Sequence, residues 1–331
     1  MKAIQVQVPG GPENLIEVEL PDPQPGPGQV RVKACAIGVG RPDVLIRQGA
    51  YKWMPPLPAI PGGEMAGVID ALGEGVQQWQ KGDRVLVSAR ELAQRGGCYA
   101  QAIVVPEEAP YRLPETLAFE DAVSLPNLQL ALALMGVAGE VKSPTPHVLI
   151  TGASGGVAGM LCQVAKHKGW VTIGTSRDAD KSSFSLAQGF DHVLCTTQDD
   201  VKQRVHEITQ GRGVDCVFDH LGGQSLIDGL HSLAPWGTLV SYNIVQGLPT
   251  EEVFKVMRQL LGKSLAVRCF SMHTLDEDLA ARRAFMHEAI ERMAKAQVQA
   301  PPSQIFKLSE VRKTHELLDR GRVSGKLIMQ P

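Results

Sequence analysis

A short apolar run, a glycine-rich turn and an amphipathic helix follow one another in the middle of this chain, and a second apolar run comes next. Residues 147–151 predict a buried strand, and the turn after it, Ala153–Ala158, is a relaxed GxGxxG with Ala at its first and last places. This order within about 30 residues is the fingerprint of a dinucleotide-binding unit. It constrains the fold strongly, because it requires parallel strands with crossover helices.

The turn itself supplies four candidate contacts. Gly155 and Gly156 let backbone N–H groups approach a diphosphate, and the N-terminus of the following helix adds partial positive charge. Ser154 and Val157 flank these glycines and complete the candidate set. The alternative is a tight turn with a purely structural role.

The end of the second strand indicates which dinucleotide is bound. An acidic residue there would bind the ribose 2′-hydroxyl of NADH, and none is present. Arg177 and Lys181 are instead placed for a 2′-phosphate, with Ser176 as a neutral donor. The pattern therefore predicts NADPH. The alternative is a solvated loop in which Asp178 pairs locally or caps the next helix.

The chain changes character at about residue 119. Before it, short alternating segments separated by Gly and Pro predict a β-rich, barrel-like domain. After it, short apolar strands alternate with helical stretches, which predicts a parallel sheet. A length of 331 residues fits about two domains. We expect an α/β protein.

Charge and cysteine usage exclude several classes of protein. The net charge is −2, so nothing attracts the whole surface to nucleic acid or to an anionic membrane. Six cysteines without a CxxC pair favour a reduced, cytoplasmic protein. No apolar run has the length of a membrane span or a signal peptide.

Six stretches carry a resemblance that covers nearly the whole chain: ACAIGVGRPDVLIRQGAY, PLPAIPGGEMAGVI, GDRVLVSARELAQRGGCYA, TGASGGVAG, VDCVFDHLGG and VSGKLIMQP. The chain resembles the zinc-independent medium-chain dehydrogenases/reductases, in the quinone oxidoreductase (zeta-crystallin-like) branch. The resemblance implies a GroES-like substrate domain (1–120 and 263–331), a Rossmann NADPH domain with a doubly wound parallel sheet (121–262), and a cleft between them. It also implies NADPH-dependent reduction of quinones or α,β-unsaturated carbonyls, in a homodimer whose subunits pair through the edge strand near 265–270.

The resemblance also bears on zinc. Zinc-dependent relatives take their first ligand, a Cys, from the segment that reads Gly38–Asp43 here, and it has no Cys. The His of their GHE motif is Gly63 here, and Cys98 stands alone where a structural zinc lobe would need several cysteines. We therefore expect no bound metal. Without a Lewis acid, acceptors that are already activated suit the site best.

Two residues of the first domain are catalytic candidates by resemblance. Tyr51 matches a tyrosine near the nicotinamide and could donate a hydrogen bond or proton to the substrate, or simply pack there. Arg41 replaces a bulky residue and could pair with an acidic substrate, or be a solvated loop residue. Asp43 matches an acidic position for which a structural role is expected, and His220 is a proton relay or a structural histidine.

Further cofactor contacts are carried over from the family, several of them onto residues that depart from its pattern. They are Gln129, Thr196, Leu221, Asn243, Ile244, Phe270 and Lys326. Two other functions stay open. One is a non-catalytic NADPH-binding structural or RNA-binding protein of the zeta-crystallin type, although aromatics and basic residues do not cluster here. The other is a reductase of acrylate-type acids or enoyl thioesters.

Overall fold

The computed structural model describes residues 1–331, and the chain folds into two compact units. Unit 1 consists of Met1–Pro126 and Arg292–Pro331, and unit 2 of Asn127–Glu291. The strands of the whole chain are β1 (Lys2–Val6), β2 (Leu15–Glu19), β3 (Gln29–Val39), β4 (Glu64–Leu72), β5 (Arg84–Ser88), β6 (Ala102–Pro106), β7 (Tyr111–Arg112), β8 (His147–Ile150), β9 (Val171–Ser176), β10 (His192–Cys195), β11 (Val214–Asp219), β12 (Leu233–Ser241), β13 (Ala266–Cys269), β14 (Ser303–Lys307) and β15 (Lys326–Gln330).

Ten helices accompany these strands. They are α1 (Arg41–Gln48), α2 (Phe119–Ala122), α3 (Leu125–Val137), α4 (Gly156–His167), α5 (Ala179–Ala187), α6 (Val201–Ile208), α7 (Gly223–Ser232), α8 (Val253–Gln259), α9 (Leu279–Ala294) and α10 (Val311–Asp319). None of them has both the length and the apolar character needed to cross a membrane.

Unit 2 contains the predicted parallel sheet. Its six strands lie in the order β10-β9-β8-β11-β12-β13, and every neighbouring pair is parallel. The chain moves outward from β8 to β10 and then resumes at β11 on the other side of β8. The order of the strands therefore reverses between β8 and β11, which is where doubly wound sheets bind ligands. The Rossmann expectation is confirmed.

One strand lies in a different unit from the one that the resemblance implied. The division at 262/263 placed residues 263–331 with the first domain, but β13 pairs in parallel with β12 in unit 2. The change of unit comes later, between Glu291 and Arg292, within α9. Val267 opposite Leu239 continues the apolar pattern of the sheet, which explains why this strand stays with it.

Unit 1 is β-rich, as expected from its alternating segments. Its main sheet has the order β14-β15-β3-β4-β5-β7, with β6 also paired to β3, and all pairs except β14–β15 are antiparallel. The C-terminal strand pairs with β3, with Ile328 opposite Gly38. Buried side chains from both ends of the sequence, such as Ile4 and Met329, share one core. The GroES-like expectation is confirmed.

Candidate functional site

The glycine turn of unit 2 is held to both neighbouring strands by hydrogen bonds. The amide of Thr151 donates to Phe218 O of β11 at 3.0 Å. On the other side, Gly152 N donates to Thr175 Oγ1 at 3.2 Å and Ala153 N to Thr175 O at 2.8 Å. The turn is therefore preorganised at the carboxyl edge of the sheet, between β9 and β11.

The N-terminus of α4 fits an anionic group. Gly155 is the residue before the helix, and no side chain caps the helix there. The first amides of a helix lack intrahelical partners. The backbone N–H groups of Gly156 and Val157, which begin α4, could therefore donate hydrogen bonds to the oxygens of a diphosphate. The candidate residue Ser154 is buried just before them. The rest of α4 buries an apolar face that includes Met160 and Leu161, which fixes the helix against the sheet.

The end of β9 is basic, as predicted. Arg177 is exposed and its guanidinium forms no ion pair, whereas Lys181 is half-buried on the first turn of α5. The Asp178 carboxylate caps α5 by accepting the Lys181 amide at 3.0 Å. This is the capping role that the alternative interpretation, a solvated loop, gave to Asp178. The Ser176 hydroxyl donates to Asp178 O at 3.0 Å. Thr196 follows β10 and donates its amide to Ser176 O at 2.8 Å.

Asp219 links the two strands at the point where the strand order reverses. This carboxylate is fully buried at the end of β11 and accepts the Thr151 hydroxyl at 3.0 Å. It also accepts the Gly222 amide at 2.8 Å and the Ser225 hydroxyl at 3.1 Å. This role was not predicted from the sequence, although an acidic residue at the end of an apolar strand was a signal for it. Asp219 holds the loop after β11 against the glycine turn.

The other predicted cofactor residues fall into two groups. Four follow strands at the same sheet edge as the glycine turn: Leu221 after β11, Asn243 and Ile244 after β12, and Phe270 after β13. Two lie elsewhere. Gln129 is buried on α3 and donates to Arg282 O at 2.9 Å, and Lys326 belongs to unit 1. Contacts of these six residues with a cofactor remain predictions.

Unit 1 contains a buried charged cluster around Asp43. Its carboxylate accepts the amides of Gly40 at 2.8 Å and Gly62 at 3.1 Å, so it ties two loops together. Nearby, Lys326 forms a buried ion pair with Glu64. Burial, followed by repulsion from Glu64, raises the pKa of Asp43 to about 7. One proton thus titrates near neutral pH inside this cluster.

A second buried polar pair was not foreseen from the sequence. Tyr99 Oη and His315 Nε2 lie 3.1 Å apart and both side chains are fully buried. Burial lowers the pKa of His315 to about 3, so its ring is neutral, and the same cause raises the pKa of Tyr99. Next to it, Arg47 pairs with Asp319 at 2.9 Å. No local pattern pointed to these contacts, since their partners are far apart in sequence.

The two catalytic candidates lie close together in sequence in unit 1. Arg41 is the first residue of α1; its side chain is half-buried and forms no ion pair or hydrogen bond. Tyr51 is half-buried in the segment after α1, and its ring centroid lies 5.8 Å from that of Trp53. Nowhere in the structure do three or more His, Cys, Asp or Glu side chains gather in a way that could hold a metal ion.

Comparison with known proteins assigns the chain to a family. Residues 26–115 match the alcohol dehydrogenase GroES-like domain, and residues 156–291 match the family described as zinc-binding dehydrogenase. A Salmonella typhimurium quinone oxidoreductase is 31% identical over 326 residues, which is 97% of either chain. The chain belongs to the quinone oxidoreductase family.

Solved structures of similar proteins agree with this assignment. The Escherichia coli quinone oxidoreductase, solved in complex with NADPH, superposes with a TM-score of 0.88 at 28% identity and full coverage of both chains. A 2-haloacrylate reductase superposes with a TM-score of 0.81 at 26% identity, over 100% of this chain and 99% of the other. The proteins similar to this member of the quinone oxidoreductase family therefore include the 2-haloacrylate reductase, which is named for an acidic substrate.

Proposed function

We propose that this protein is an NADPH-dependent oxidoreductase that transfers hydride to quinones or α,β-unsaturated carbonyl compounds without zinc. The observation that carries the proposal is an uncapped N-terminus of α4 together with a basic end of β9, where the carboxylate of Asp178 is committed to capping α5. In this proposal the first amides of α4 bind the diphosphate, and Arg177 and Lys181 bind the 2′-phosphate. Membership of the quinone oxidoreductase family supports it.

The donor set of unit 1 supports a zinc-free reaction. Gly63 occupies the position at which zinc-dependent relatives carry a His, and a Cβ added there would meet only Asp43 Oδ1, at 3.8 Å. The charged groups of the buried cluster around Asp43 are Asp43 itself and the Glu64–Lys326 pair, which offer neither imidazole nor thiolate to a metal. These residues do not fit a catalytic zinc.

The chemistry of a quinone or enone suits such a site. When bound, NADPH supplies a hydride, and the developing negative charge delocalises onto the acceptor's oxygen, where a proton then completes the reduction. We propose that Tyr51 donates a hydrogen bond to that oxygen. The protein's other task is to hold the dinucleotide in one orientation, which the rigid turn and Asp219 serve.

The test is a fluorescence titration of chelator-treated protein with NADPH and with NADH at fixed salt. We expect NADPH to bind at least about tenfold more tightly, a difference of about 1.4 kcal/mol. Arg177→Ala should abolish the preference, whereas Lys168→Ala, which changes an exposed lysine just after α4, should not. Equal binding would contradict the NADPH assignment, and binding only with added zinc would contradict the metal-free mechanism.

Turnover separates the enzyme from a non-catalytic binding protein. With NADPH in excess, a simple quinone and a neutral enone should each be reduced, followed by loss of nicotinamide absorbance. Tight NADPH binding without turnover of any quinone, enone or acidic enoate would favour the non-catalytic alternative.

Arg41 supports a second candidate, the reduction of acrylate-type acids or enoyl thioesters. A half-buried guanidinium without a protein partner is suited to a carboxylate or phosphate on the substrate. The similarity to a 2-haloacrylate reductase favours the same substrate class.

We also propose that two copies of the chain pair through β13. This strand is at the edge of the six-stranded sheet, and its Arg268 and Cys269 are exposed. An open edge presents unpaired backbone groups to another chain. Sedimentation equilibrium should give about twice the monomer mass of 35.7 kDa. A monomer at all concentrations would contradict the proposal.

A further inference from the structure

Three buried polar side chains connect α1 to α10 inside unit 1, and we call them the polar line. They are Asp43 on α1, Tyr99 in the segment before β6, and His315 on α10. Tyr99 is the middle member. Its Oη lies 3.1 Å from Nε2 of His315, and its hydroxyl also hydrogen-bonds to the carboxyl group of Asp43. Two hydrogen bonds therefore join three groups that are far apart in sequence.

The backbone around Gly62 holds Tyr99 beside Asp43. The Gly62 amide donates to Asp43 Oδ1 at 3.1 Å, and the Tyr99 amide donates to Pro61 O at 2.9 Å. A Cβ added to Gly62 would lie 2.5 Å from Tyr99 N and 2.7 Å from its Cδ1, and Gly62 has a φ of +109°. Glycine at this position thus admits both the turn and the tyrosine ring. One loop binds Asp43 and packs against Tyr99, which fixes the first hydrogen bond of the polar line.

Two members of the polar line each keep one proton near neutral pH. Burial, followed by repulsion from the Arg47 cation, lowers the pKa of His315 to about 3, so the ring is neutral and carries a single N–H. Burial raises the pKa of Tyr99 well above its ordinary value, so the phenol keeps its proton. Only two orders of donors and acceptors are then available to the polar line.

The first order applies when Asp43 is ionised. Tyr99 then donates its proton to the carboxylate, so Oη must accept one from Nε2 of His315, and Nδ1 carries a lone pair. Nδ1 is buried without a hydrogen-bond partner, as are Nε and Nη1 of Arg47, whose Nη2 pairs with Asp319. A lone pair on Nδ1 is the state that the repulsion between Arg47 and a cationic ring favours.

The second order applies when Asp43 is protonated. The proton of a buried carboxyl needs an acceptor, and the amides of Gly40 and Gly62 that contact Asp43 are donors only. Tyr99 Oη is an acceptor within the polar line. If the carboxyl donates to Oη, Tyr99 donates to Nε2 of His315, and the ring proton lies on Nδ1.

A proton transfer along the existing hydrogen bonds converts the first order into the second. One proton enters at Nδ1 of His315, the proton on Nε2 passes to Tyr99 Oη, and the proton on Oη passes to the Asp43 carboxylate. The polar line gains one proton in total, and both hydrogen bonds reverse direction. We propose that Asp43, Tyr99 and His315 form a proton relay, in which protonation of Asp43 moves the ring proton of His315 from Nε2 to Nδ1.

The surrounding charges define the competing outcome. Asp43 is faced by Glu64 of β4, Lys326 of β15 and Cys98, and His315 is faced by Arg47 of α1, which pairs with Asp319. Glu64 is the other acceptor near a protonated Asp43, but it already forms a buried ion pair with Lys326. If Asp43 shared its proton with Glu64 instead, Tyr99 would keep donating to Asp43, and the His315 ring would not change.

The test is a nuclear magnetic resonance titration of the isotope-labelled full-length protein at fixed salt, from about pH 5 to about pH 9. Proton–nitrogen correlation spectra report which ring nitrogen carries the proton, and His315 is assigned through bonds from its backbone. We expect a proton on Nε2 at the alkaline end and on Nδ1 at the acid end. The midpoint of this exchange should lie near the Asp43 pKa of about 7, and the carboxyl carbon resonance of Asp43 should have the same midpoint.

Two matched variants test the middle of the relay. Tyr99→Phe removes the connecting hydroxyl, so the His315 proton should stay on Nε2 at every pH, because Arg47 opposes a proton on Nδ1. Tyr111→Phe makes the same change at a buried tyrosine whose hydroxyl donates to Glu91 at 2.8 Å, and the exchange of the ring proton should persist.

Three results overturn the proposal. They are a His315 proton on one nitrogen throughout the titration, protonation of both ring nitrogens together at acid pH, and an exchange that persists in Tyr99→Phe. Should Tyr99→Phe not fold, the wild-type protein still decides. Different midpoints for the His315 ring and the Asp43 carboxyl contradict a shared proton transfer, whereas equal midpoints support it.

Discussion

Lys326, in the last strand of the chain, forms a buried ion pair with Glu64, which begins β4 and lies 262 residues earlier. The contact joins β15 to β4 although β3 lies between them in the sheet. A charge pair removed from water in this way contributes to stability only while both partners are present.

Loss of one partner should therefore destabilise unit 1 strongly. We expect Lys326→Met to lower the free energy of unfolding by about 3–5 kcal/mol, because Glu64 would remain buried and unpaired. Lys326→Met combined with Glu64→Gln should recover most of the loss in urea titrations. If the double variant regains stability but not NADPH affinity, Lys326 also serves the cofactor as its family position implies; full recovery of both contradicts that role.

The protonation of Asp43 should make stability depend on pH. Its pKa is about 7 in the folded protein and 3.8 ordinarily, with burial and Glu64 raising it and the Gly40 amide, Lys326 and Tyr99 opposing them. The folded state therefore holds this proton more tightly, so its contribution is complete below pH 3.8 and declines as the pH rises to 7 and beyond. Wild-type protein should lose stability as the pH rises from about 4 to about 7, and Asp43→Asn should lose less.

Urea unfolding at several pH values and constant salt measures this difference. Asp180→Asn, which changes an exposed residue of α5, is the matched control and should follow the wild type. Parallel curves for wild type and Asp43→Asn would show that the carboxyl does not titrate in this range.

Arg41 should discriminate between substrates by charge. If its guanidinium pairs with the substrate, Arg41→Ala should raise KM for an acidic enoate by about tenfold or more and leave a neutral enone unaffected. Arg41→Lys keeps the charge but not the planar guanidinium that can bind a carboxylate through two hydrogen bonds. Its KM for the acidic enoate should therefore lie between those of the wild type and Arg41→Ala. Steady-state kinetics with a matched acid and methyl ester decide it. An equal effect on both substrates would mean that Arg41 does not recognise the charge of the substrate.

Asp219 should support both stability and cofactor affinity. Asp219→Asn replaces one acceptor oxygen by an amide that faces donors such as the Gly222 N–H. We expect a loss of about 1–3 kcal/mol in unfolding free energy. NADPH binding should weaken as well, because the loop after β11 would no longer be held to Thr151. Thr151→Val removes one donor to Asp219 and the acceptor of the His220 amide, but it leaves the bonds of Asp219 to Gly222 and Ser225 in place, so we expect the smaller effect. Calorimetric unfolding together with titration would reveal an inverse order.

The strands and helices of unit 2 could be predicted from the sequence, because each forms from residues that are neighbours along the chain. An apolar run predicts a strand, and the glycines of the turn after β8 predict a backbone that closes into a helix. The basic end of β9 likewise needed only residues 175–181. Parallel strands bring their carboxyl ends to one edge, so the grouping of these motifs followed from the fold class alone.

The sequence by itself thus determined the class of fold and the chemistry of the glycine turn, since both arise from local pattern. Only the tertiary structure decided which polar groups meet in the interior. Tyr99 contacts His315 across 216 residues, and the shifted pKa of Asp43 follows from its burial beside Glu64. Desolvation and long-range pairing depend on what surrounds a residue in space, and no spacing along the chain encodes that. The unpartnered Nδ1 of His315 belongs to the same category, because a missing partner becomes visible only after every neighbour has been placed.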